Sequence, residues 1–231
     1  MNSQPRVVVT GGGRGVGAAL ALRIAARGGH VVIAARTQSE LDDTARDIAT
    51  RHGASRVRAI RCDVSRAADV GALCSAAVEF LGDVDLLVNN AGIARRVLAH
   101  EMQEAAWDEV LDVNLKGAFL CAHAFLPAML ARKHGRIVNV ASISATLGTA
   151  KMTAYCASKW GLVGFTKALA EETRDGGVQV IAVLPGSIDT AMLVGSDFPA
   201  RMSADEVART IEWLGIDAPD AMTGAAVEMF G

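Results

Sequence analysis

Residues 7–17 read VVVTGGGRGVG, a short apolar run that passes directly into a cluster of glycines. The β-branched run is typical of a buried strand, and the pattern from Val16 to Arg27 is typical of a helix. Glycines between a strand and a helix let the main chain turn tightly and approach a pyrophosphate, and the helix N-terminus adds N–H donors. The stretch therefore predicts a dinucleotide-binding loop at the start of an α/β fold.

Strand-like and helix-like patterns alternate along the rest of the chain. Apolar runs of strand length lie at residues 7–10, 31–35, 57–61, 84–89, 136–141 and 178–184. Patterns of helical length and period lie at residues 16–27, 39–52, 67–81 and 153–174. This alternation predicts a Rossmann-type, doubly wound parallel sheet with helices on both faces. Ligands of such sheets bind beyond the carboxyl ends of the strands, so we expect the functional residues in the loops that follow them.

Composition and charge favour a single domain over residues 1–231. The hydrophobic fraction of 51% can fill one large core, and no linker or low-complexity segment interrupts the chain. A net charge of −2 is too small to indicate nucleic acid or an anionic membrane as a partner. The polar residues 1–6 do not resemble a signal peptide, and no uncharged apolar run of 18 residues indicates a membrane span. We therefore expect a cytoplasmic protein.

The cysteines and histidines form no pattern typical of a metal site. Cys62, Cys74, Cys121 and Cys156 contain no CxxC pair, and the five histidines show no paired spacing. We expect free thiols in a reducing compartment and no bound metal.

Two arginines indicate which dinucleotide is bound. The second predicted strand ends at Arg36, where an NAD-binding protein usually has a carboxylate for the adenosine ribose. A guanidinium at this place can bind a 2′-phosphate in a bidentate, charge-assisted pair, and Arg14 in the glycine loop can reach the same group. The pattern favours NADP(H) over NAD(H).

A serine, a tyrosine and a lysine form a candidate catalytic set. Tyr155 is the only tyrosine of the chain, and Lys159 lies four residues later on the same face of a predicted helix. A nearby ammonium stabilises a phenolate, so we expect Lys159 to lower the pKa of Tyr155 from its usual value of about 10. Ser142 closes the fifth predicted strand, where its hydroxyl can bind the oxygen of a substrate.

Taken together, these motifs resemble the short-chain dehydrogenase/reductases over essentially the whole chain. The loop at residues 10–17 matches the TGxxxGxG motif of that family, and residues 89–92 match its NNAG motif. Ser142, Tyr155 and Lys159 match the catalytic triad. The resemblance further implies that Asn114 steadies a water-linked proton relay and that Asp63 holds the adenine amino group.

The resemblance implies a catalytic set and a larger cofactor-binding set. The catalytic set is Asn114, Ser142, Tyr155 and Lys159. The cofactor-binding set is Thr10, Gly11, Gly13, Arg14, Gly15, Val16, Gly17, Arg36, Asp63, Val64, Asn89, Ala91, Gly92, Tyr155, Lys159, Pro185, Gly186, Ile188 and Thr190.

Within the family, the chain looks most like 3-oxoacyl-acyl-carrier-protein reductases and related bacterial carbonyl reductases. The segments at residues 89–95 and 134–138 carry this likeness. One difference is a short substrate lid at about residues 187–202, where Gly195, Ser196, Asp197 and Pro199 prevent a long helix. Apart from Arg95, the residues expected to line the substrate pocket are apolar. They are Ile93, Leu147, Met152, Met192 and Leu193.

The expected reaction is hydride transfer between NADP(H) and a small carbonyl or alcohol substrate, a 3-oxoacyl thioester being one candidate. Tyr155 would supply the proton to a ketone, by general acid catalysis. The resemblance also implies a homodimer or homotetramer, paired through helices at residues 112–132 and 153–174. Three alternatives stay open: oxidation of an alcohol, sugar or sterol, a non-catalytic NADP-binding sensor, and a structural subunit of a hetero-oligomer.

Overall fold

The computed structural model describes residues 4–196 and 198–231, and Asp197 of the predicted lid lies outside these described residues. Within them, the strands form one parallel sheet of seven, in the order β3-β2-β1-β4-β5-β6-β7. The strands are β1 (Arg6–Thr10), β2 (His30–Ala35), β3 (Val57–Arg61), β4 (Leu86–Asn89), β5 (Gly135–Val140), β6 (Val178–Pro185) and β7 (Ala226–Met229). The predicted doubly wound parallel sheet is therefore confirmed.

Helices cover both faces of the sheet. They are α1 (Gly15–Ala26), α2 (Gln38–His52), α3 (Ala67–Leu81), α4 (Glu104–Leu111), α5 (Gly117–Arg132), α6 (Thr153–Thr173) and α7 (Ala204–Ile216). One core contains buried residues of α1, α2 and α7, and a second contains buried residues of α3, α5 and α6. Alternate side chains of the central strands enter opposite cores, which explains why β1, β2 and β4 are apolar along most of their length.

The order of the strands places the functional loops together. The chain starts at β1 in the centre, moves outward to β3, and returns across β1 to β4. The loops after β1 and β4 therefore diverge to opposite sides of the sheet and leave a crevice between them. A crevice at such a reversal is where open α/β sheets bind ligands.

Three elements are absent from the sequence-based interpretation. β7 is short and contains Glu228, so its sequence has little strand character, and α4 has only one fully buried residue, Val110. The predicted helix at residues 112–132 is really two segments, because a π-helical turn over Asp112–Lys116 joins α4 to α5. Extra residues of this kind inside a helix are frequent at functional sites.

The helical run from Glu104 to Arg132 is long and apolar enough to cross a membrane, by length and composition alone. In the structure, Cys121, Phe125 and Met129 of α5 are buried in the core beneath the sheet. Packing in the core of this fold accounts for the apolar character of the run.

Candidate active site

The glycine loop joins β1 to α1 as the sequence predicted. Gly11 and Gly15 have positive φ angles of 66° and 55°, a conformation that residues with a side chain rarely adopt. A Cβ atom on Gly17 would lie 2.2 Å from the carbonyl oxygen of Gly11, so only glycine lets the helix start so close to the loop. At Arg14, the N-cap of α1, the side chain makes no capping hydrogen bond within the described part of the chain. The N–H groups of the first turn are thus available to an anion.

Thr10 stabilises this loop from behind. Its hydroxyl donates to the carbonyl oxygen of Val88 and accepts the N–H groups of Asn90 and Ala91, at 3.3, 3.0 and 3.0 Å. The amide of Asn90 in turn donates to the carbonyl oxygen of Thr10 at 2.8 Å. Thr10, which was predicted to bind the cofactor, therefore holds the shape of the crevice. Asn90, which was not predicted as a site residue, takes part in the same hydrogen bonds.

The crevice is a cleft of about 1000 Å³ that extends from the glycine loop to the segment after β6. Most predicted site residues line it. They are Gly11, Gly13, Arg14, Gly15, Val16, Arg36, Asp63, Val64, Ala91, Gly92, Ser142, Tyr155, Lys159, Pro185, Gly186, Ile188 and Thr190. The side chains of Thr10, Asn89 and Asn114 are instead buried behind its walls, at 1%, 4% and 1% exposure.

Asn89 belongs to a polar network inside the protein. Its amide donates to the side-chain oxygen of Asn139 at 2.9 Å, and the amide of Asn139 donates to the hydroxyl of Thr166 at 2.9 Å. These bonds join β4, β5 and α6. The side-chain N–H groups of Asn89 are therefore used between the strands and the helix, behind the wall of the cleft.

The two arginines predicted to bind a 2′-phosphate both lie at one end of the cleft. Arg14 is 3.1 Å from the carboxylate of Glu40, and Arg36 is 3.7 Å from that of Glu109. Both guanidinium groups are at least half exposed, so each pair is weak and solvent-screened. An incoming phosphate dianion can therefore compete for both cations.

Asp63 lies next to Arg36 at this end of the cleft. Its carboxylate accepts the N–H and the hydroxyl of Ser65, at 3.1 and 2.7 Å. Burial alone would raise the pKa of Asp63, but these bonds and the charge of Arg36 hold it below its ordinary value. Asp63 is consequently an ionised acceptor, as a partner for an adenine amino group has to be.

Ser142, Tyr155 and Lys159 meet in the middle of the cleft. Ser142 lies two residues after the end of β5, and its hydroxyl oxygen accepts the N–H of Ser144 at 3.1 Å. Tyr155 and Lys159 lie one turn apart near the start of α6 and are 8% and 4% exposed. The Lys159 ammonium is 5.6 Å from the centre of the Tyr155 ring and donates to the carbonyl oxygen of Val140 at 2.7 Å.

The pKa of Tyr155 differs from the sequence-based expectation. Burial raises the pKa of the phenol above its ordinary value, and the hydroxyl of Ser142 and the charge of Arg96 offset this only in part. Burial also lowers the pKa of Lys159 to about 8. The expected lowering of the phenol pKa is absent because the effect of burial outweighs the opposing effects of Ser142 and Arg96.

Asn114 lies in the π-helical turn between α4 and α5. Its side chain accepts the N–H of Ile93 at 2.8 Å and donates to the carbonyl oxygen of Ile93 at 2.9 Å. The second amide hydrogen goes to the hydroxyl of Ser158 at 3.0 Å. Both donors are thus used within the protein, so a relay water would have to be held by the main chain of Asn114. The side chain fixes the loop after β4 against α6.

The apolar residues predicted for the substrate pocket line the outer half of the cleft. They are Ile93, Leu147, Met152, Met192 and Leu193. The prediction that Arg95 lines the pocket is wrong, because its side chain turns outward and pairs with Glu109 at 2.7 Å. Its neighbour Arg96 lines the cleft instead and donates to the carbonyl oxygen of Met192 at 2.9 Å.

The predicted lid connects β6 to α7. At its base, Ile188 pairs with Met202 in a parallel bridge, and the hydroxyl of Ser187 donates to the carbonyl oxygen of Pro199 at 2.6 Å. α7 then begins at a capping box formed by Ser203 and Glu206. Val194, at 78% exposure, marks how little of the lid is covered by the protein.

Comparisons with known proteins agree with this architecture. A family model described as short chain dehydrogenase matches residues 5–197. The short-chain reductase protein NovJ of Streptomyces niveus is 38% identical, over 97% of this chain and 92% of that protein. A 3-oxoacyl-acyl-carrier-protein reductase of Synechocystis sp. is 36% identical, over 97% of this chain and 94% of that protein. The crystal structure of levodione reductase has a TM-score of 0.92 at 28% identity, over 100% of this chain and 97% of that chain.

The alignment with the Streptomyces niveus protein extends over 243 positions, whereas this chain has 231 residues. That relative therefore has residues that this chain lacks. The matched length, the level of identity and the common sheet together confirm the resemblance found in the motifs. The chain belongs to the short-chain dehydrogenase family.

Proposed function

We propose that the protein reduces a ketone to a secondary alcohol with NADPH, and that Tyr155 is the general acid. The observation that carries this proposal is the cleft itself, since Ser142, Tyr155 and Lys159 line the same cavity as the glycine loop. A proton donor and a dinucleotide loop within one cleft are the two parts that carbonyl reduction needs.

The residues at the cofactor end fit an NADP molecule. The glycine loop leaves room where Cβ atoms would project, and the uncapped N-terminus of α1 can receive the pyrophosphate. Arg14 and Arg36 are the residues that would hold the 2′-phosphate, and Asp63 would accept from the adenine. When bound, the nicotinamide supplies the hydride. Lys159 and the main chain at Pro185 and Gly186 would hold its ribose and ring.

The protein's own residues orient the substrate and move one proton. The Ser142 hydroxyl donates to the carbonyl oxygen and so fixes its direction. As the carbonyl carbon gains hydride, the Tyr155 phenol gives its proton to the oxygen and becomes a phenolate. The nearby Lys159 ammonium stabilises this phenolate, and a proton from solvent then restores the phenol.

We also propose a substrate class, an oligomeric state and a cellular compartment. The apolar outer half of the cleft suits a small ketone or an acyl chain, and a 3-oxoacyl thioester is one candidate. A homodimer or homotetramer through α5 and α6 is supported by Phe119 and Trp160, two large apolar side chains that are about half exposed on these helices. All four cysteines are free, which suits a reducing cytoplasm.

The test is oxidation of NADPH and NADH, followed by absorbance, with β-ketoacyl thioesters, simple ketones, quinones and sugars. We expect ketone-dependent oxidation of NADPH at a higher kcat/KM than of NADH. If NADPH binds but no carbonyl causes its oxidation, the protein is a sensor and the proposal fails. If NADH is preferred, the assignment of Arg14 and Arg36 fails while the reaction class survives.

A further inference from the structure

Arg96 stands out because it differs from its neighbour in what its side chain contacts. Arg95 is neutralised by Glu109 at 2.7 Å and turns outward. The Arg96 guanidinium lies in the outer half of the cleft, donating to the carbonyl oxygens of Met192 at 2.9 Å and Val194 at 3.5 Å. Lid carbonyls thus hold a full positive charge in place without neutralising it.

A second cation lies beside Arg96. Lys151 also lines the cleft, and its carbonyl oxygen accepts the N–H of Val97 at 2.9 Å, which ties it to the residue after Arg96. Lys151 has a φ of 63°, an unusual conformation for a residue with a long side chain. The main chain therefore places the two basic residues close together on the wall of the cleft.

Apolar side chains lie near these basic residues. The neighbouring residues that line the cleft include Leu147, Met192 and Leu193. Asp189 is an acid on the cleft wall, but it precedes Thr190, whose side chain would lie 3.4 Å from a Cβ atom on Gly15, so Asp189 is next to the cofactor end. An anion that enters the outer half of the cleft would thus meet two basic residues in a partly exposed place.

We propose that Arg96, assisted by Lys151, binds a carboxylate group of the substrate while the ketone of the same molecule reaches Tyr155. This inference rests on the proposed function and narrows its substrate class to keto acids. A guanidinium has five N–H donors in a planar fork, and the two lid carbonyls leave others free for a carboxylate. The charge of Arg96 also lowers the pKa of Tyr155, which places it within electrostatic reach of the reacting oxygen.

The first experiment compares 5-oxohexanoate with its methyl ester, two ketones of one shape that differ in charge. With saturating NADPH, we expect kcat/KM to favour the acid by about tenfold, the scale of one charge-assisted contact in a partly exposed place. In Arg96→Met the preference should fall to near unity. In Lys151→Asn, which keeps a residue tolerant of positive φ, it should fall about two- to threefold.

Arg95→Met is the matched control, because it also removes one arginine charge, but from the neighbouring residue, whose side chain lies outside the cleft. Its acid-to-ester ratio should equal that of the wild type. Thermal unfolding of each variant followed by circular dichroism checks that the fold is kept. A wild type without preference, or an Arg96→Met variant with an unchanged ratio, would overturn the inference.

A binding measurement separates this inference from the proposed function. Calorimetry with hexanoate and hexanamide on the NADPH-loaded protein requires no turnover. We expect hexanoate to bind the wild type more tightly than hexanamide, and Arg96→Met to lose that difference. If no ketone is reduced but hexanoate binds through Arg96, the proposed function fails and the anion site stands. Equal binding of acid and amide overturns the anion site, whatever the activity.

Discussion

Replacing Lys159 with Met is expected to stabilise the fold while it abolishes most of the activity. Lys159 is 4% exposed, and burial lowers its pKa from 10.5 to about 8. Because this pKa is lower in the folded than in the unfolded chain, the buried ammonium weakens the fold fully below pH 8. The penalty fades as the pH rises from about 8 towards 10.5, where the unfolded chain also loses the proton.

The size of the effect follows from the same values. At about 1.36 kcal/mol per pKa unit, a fall from 10.5 to about 8 corresponds to roughly 3 kcal/mol of destabilisation. Met removes this penalty, but the carbonyl oxygen of Val140 loses its 2.7 Å hydrogen bond, at a cost of about 1–3 kcal/mol. We therefore expect a net gain of about 1 kcal/mol in the free energy of unfolding at pH 7, and a smaller gain or a loss at pH 10.

The assay is urea unfolding of the wild type and the variant at pH 7 and pH 10. Lys167→Met serves as the control, because Lys167 is an exposed lysine of the same helix and its loss should change stability by less than about 0.5 kcal/mol. The pH dependence is the decisive readout. If the stability difference between Lys159→Met and the wild type is the same at both pH values, the ammonium is not destabilised by burial.

Three further predictions concern the reaction. Tyr155→Phe should lower kcat by about 10²-fold, the scale of a lost general acid, with little change in NADPH affinity. More than half of the activity in that variant would contradict the mechanism. Arg36→Asp should weaken NADPH binding relative to NADH by about tenfold, because a half-exposed charge-assisted contact is lost. If titrations of both cofactors give an unchanged ratio of NADPH to NADH affinity, Arg36 does not bind the 2′-phosphate and Arg14 remains the candidate. Along 3-oxo esters of rising chain length, the activation free energy obtained from kcat/KM should change by well under ~0.8 kcal/mol per added methylene, since Val194 and Phe198 of the lid are exposed. A fall of more than tenfold at one added methylene would indicate a closed pocket.

The fold was predictable because the parallel strands are buried on both faces. Six strand-like runs correspond to β1 to β6 within two residues at each end. β7 was not predicted, because it is an edge strand of only four residues and contains Glu228. Its pairing with β6 also depends on contacts between residues far apart in the chain. The π-helical turn was not predicted because it covers only five residues, Asp112–Lys116, which is too short a segment for the apolar pattern to distinguish from an α-helix.

The site was predictable as a set of residues, and less so as a set of contacts. Tyr155 and Lys159 share a helix, so spacing alone placed them together. Asn89 and Asn114 sit in motifs, but their side chains bond to residues 21 to 50 positions away, and no local pattern indicates such partners. Arg95 was predicted in the pocket in place of Arg96 for the same reason. Only tertiary contacts decide in which direction each of two consecutive loop residues points.

The opposite pKa shifts of Tyr155 and Lys159 bear on the direction of the reaction. A phenol whose pKa lies above its ordinary value stays protonated at neutral pH, which is the form that donates to a ketone. Alcohol oxidation needs the phenolate, and forming it in this buried place costs more than in water. The ammonium of Lys159, with a pKa of about 8, is largely charged at pH 7 and can stabilise the phenolate once the proton has left. In the proposed reaction these groups would suit reduction at neutral pH, and we expect the rate of alcohol oxidation to gain as the pH rises.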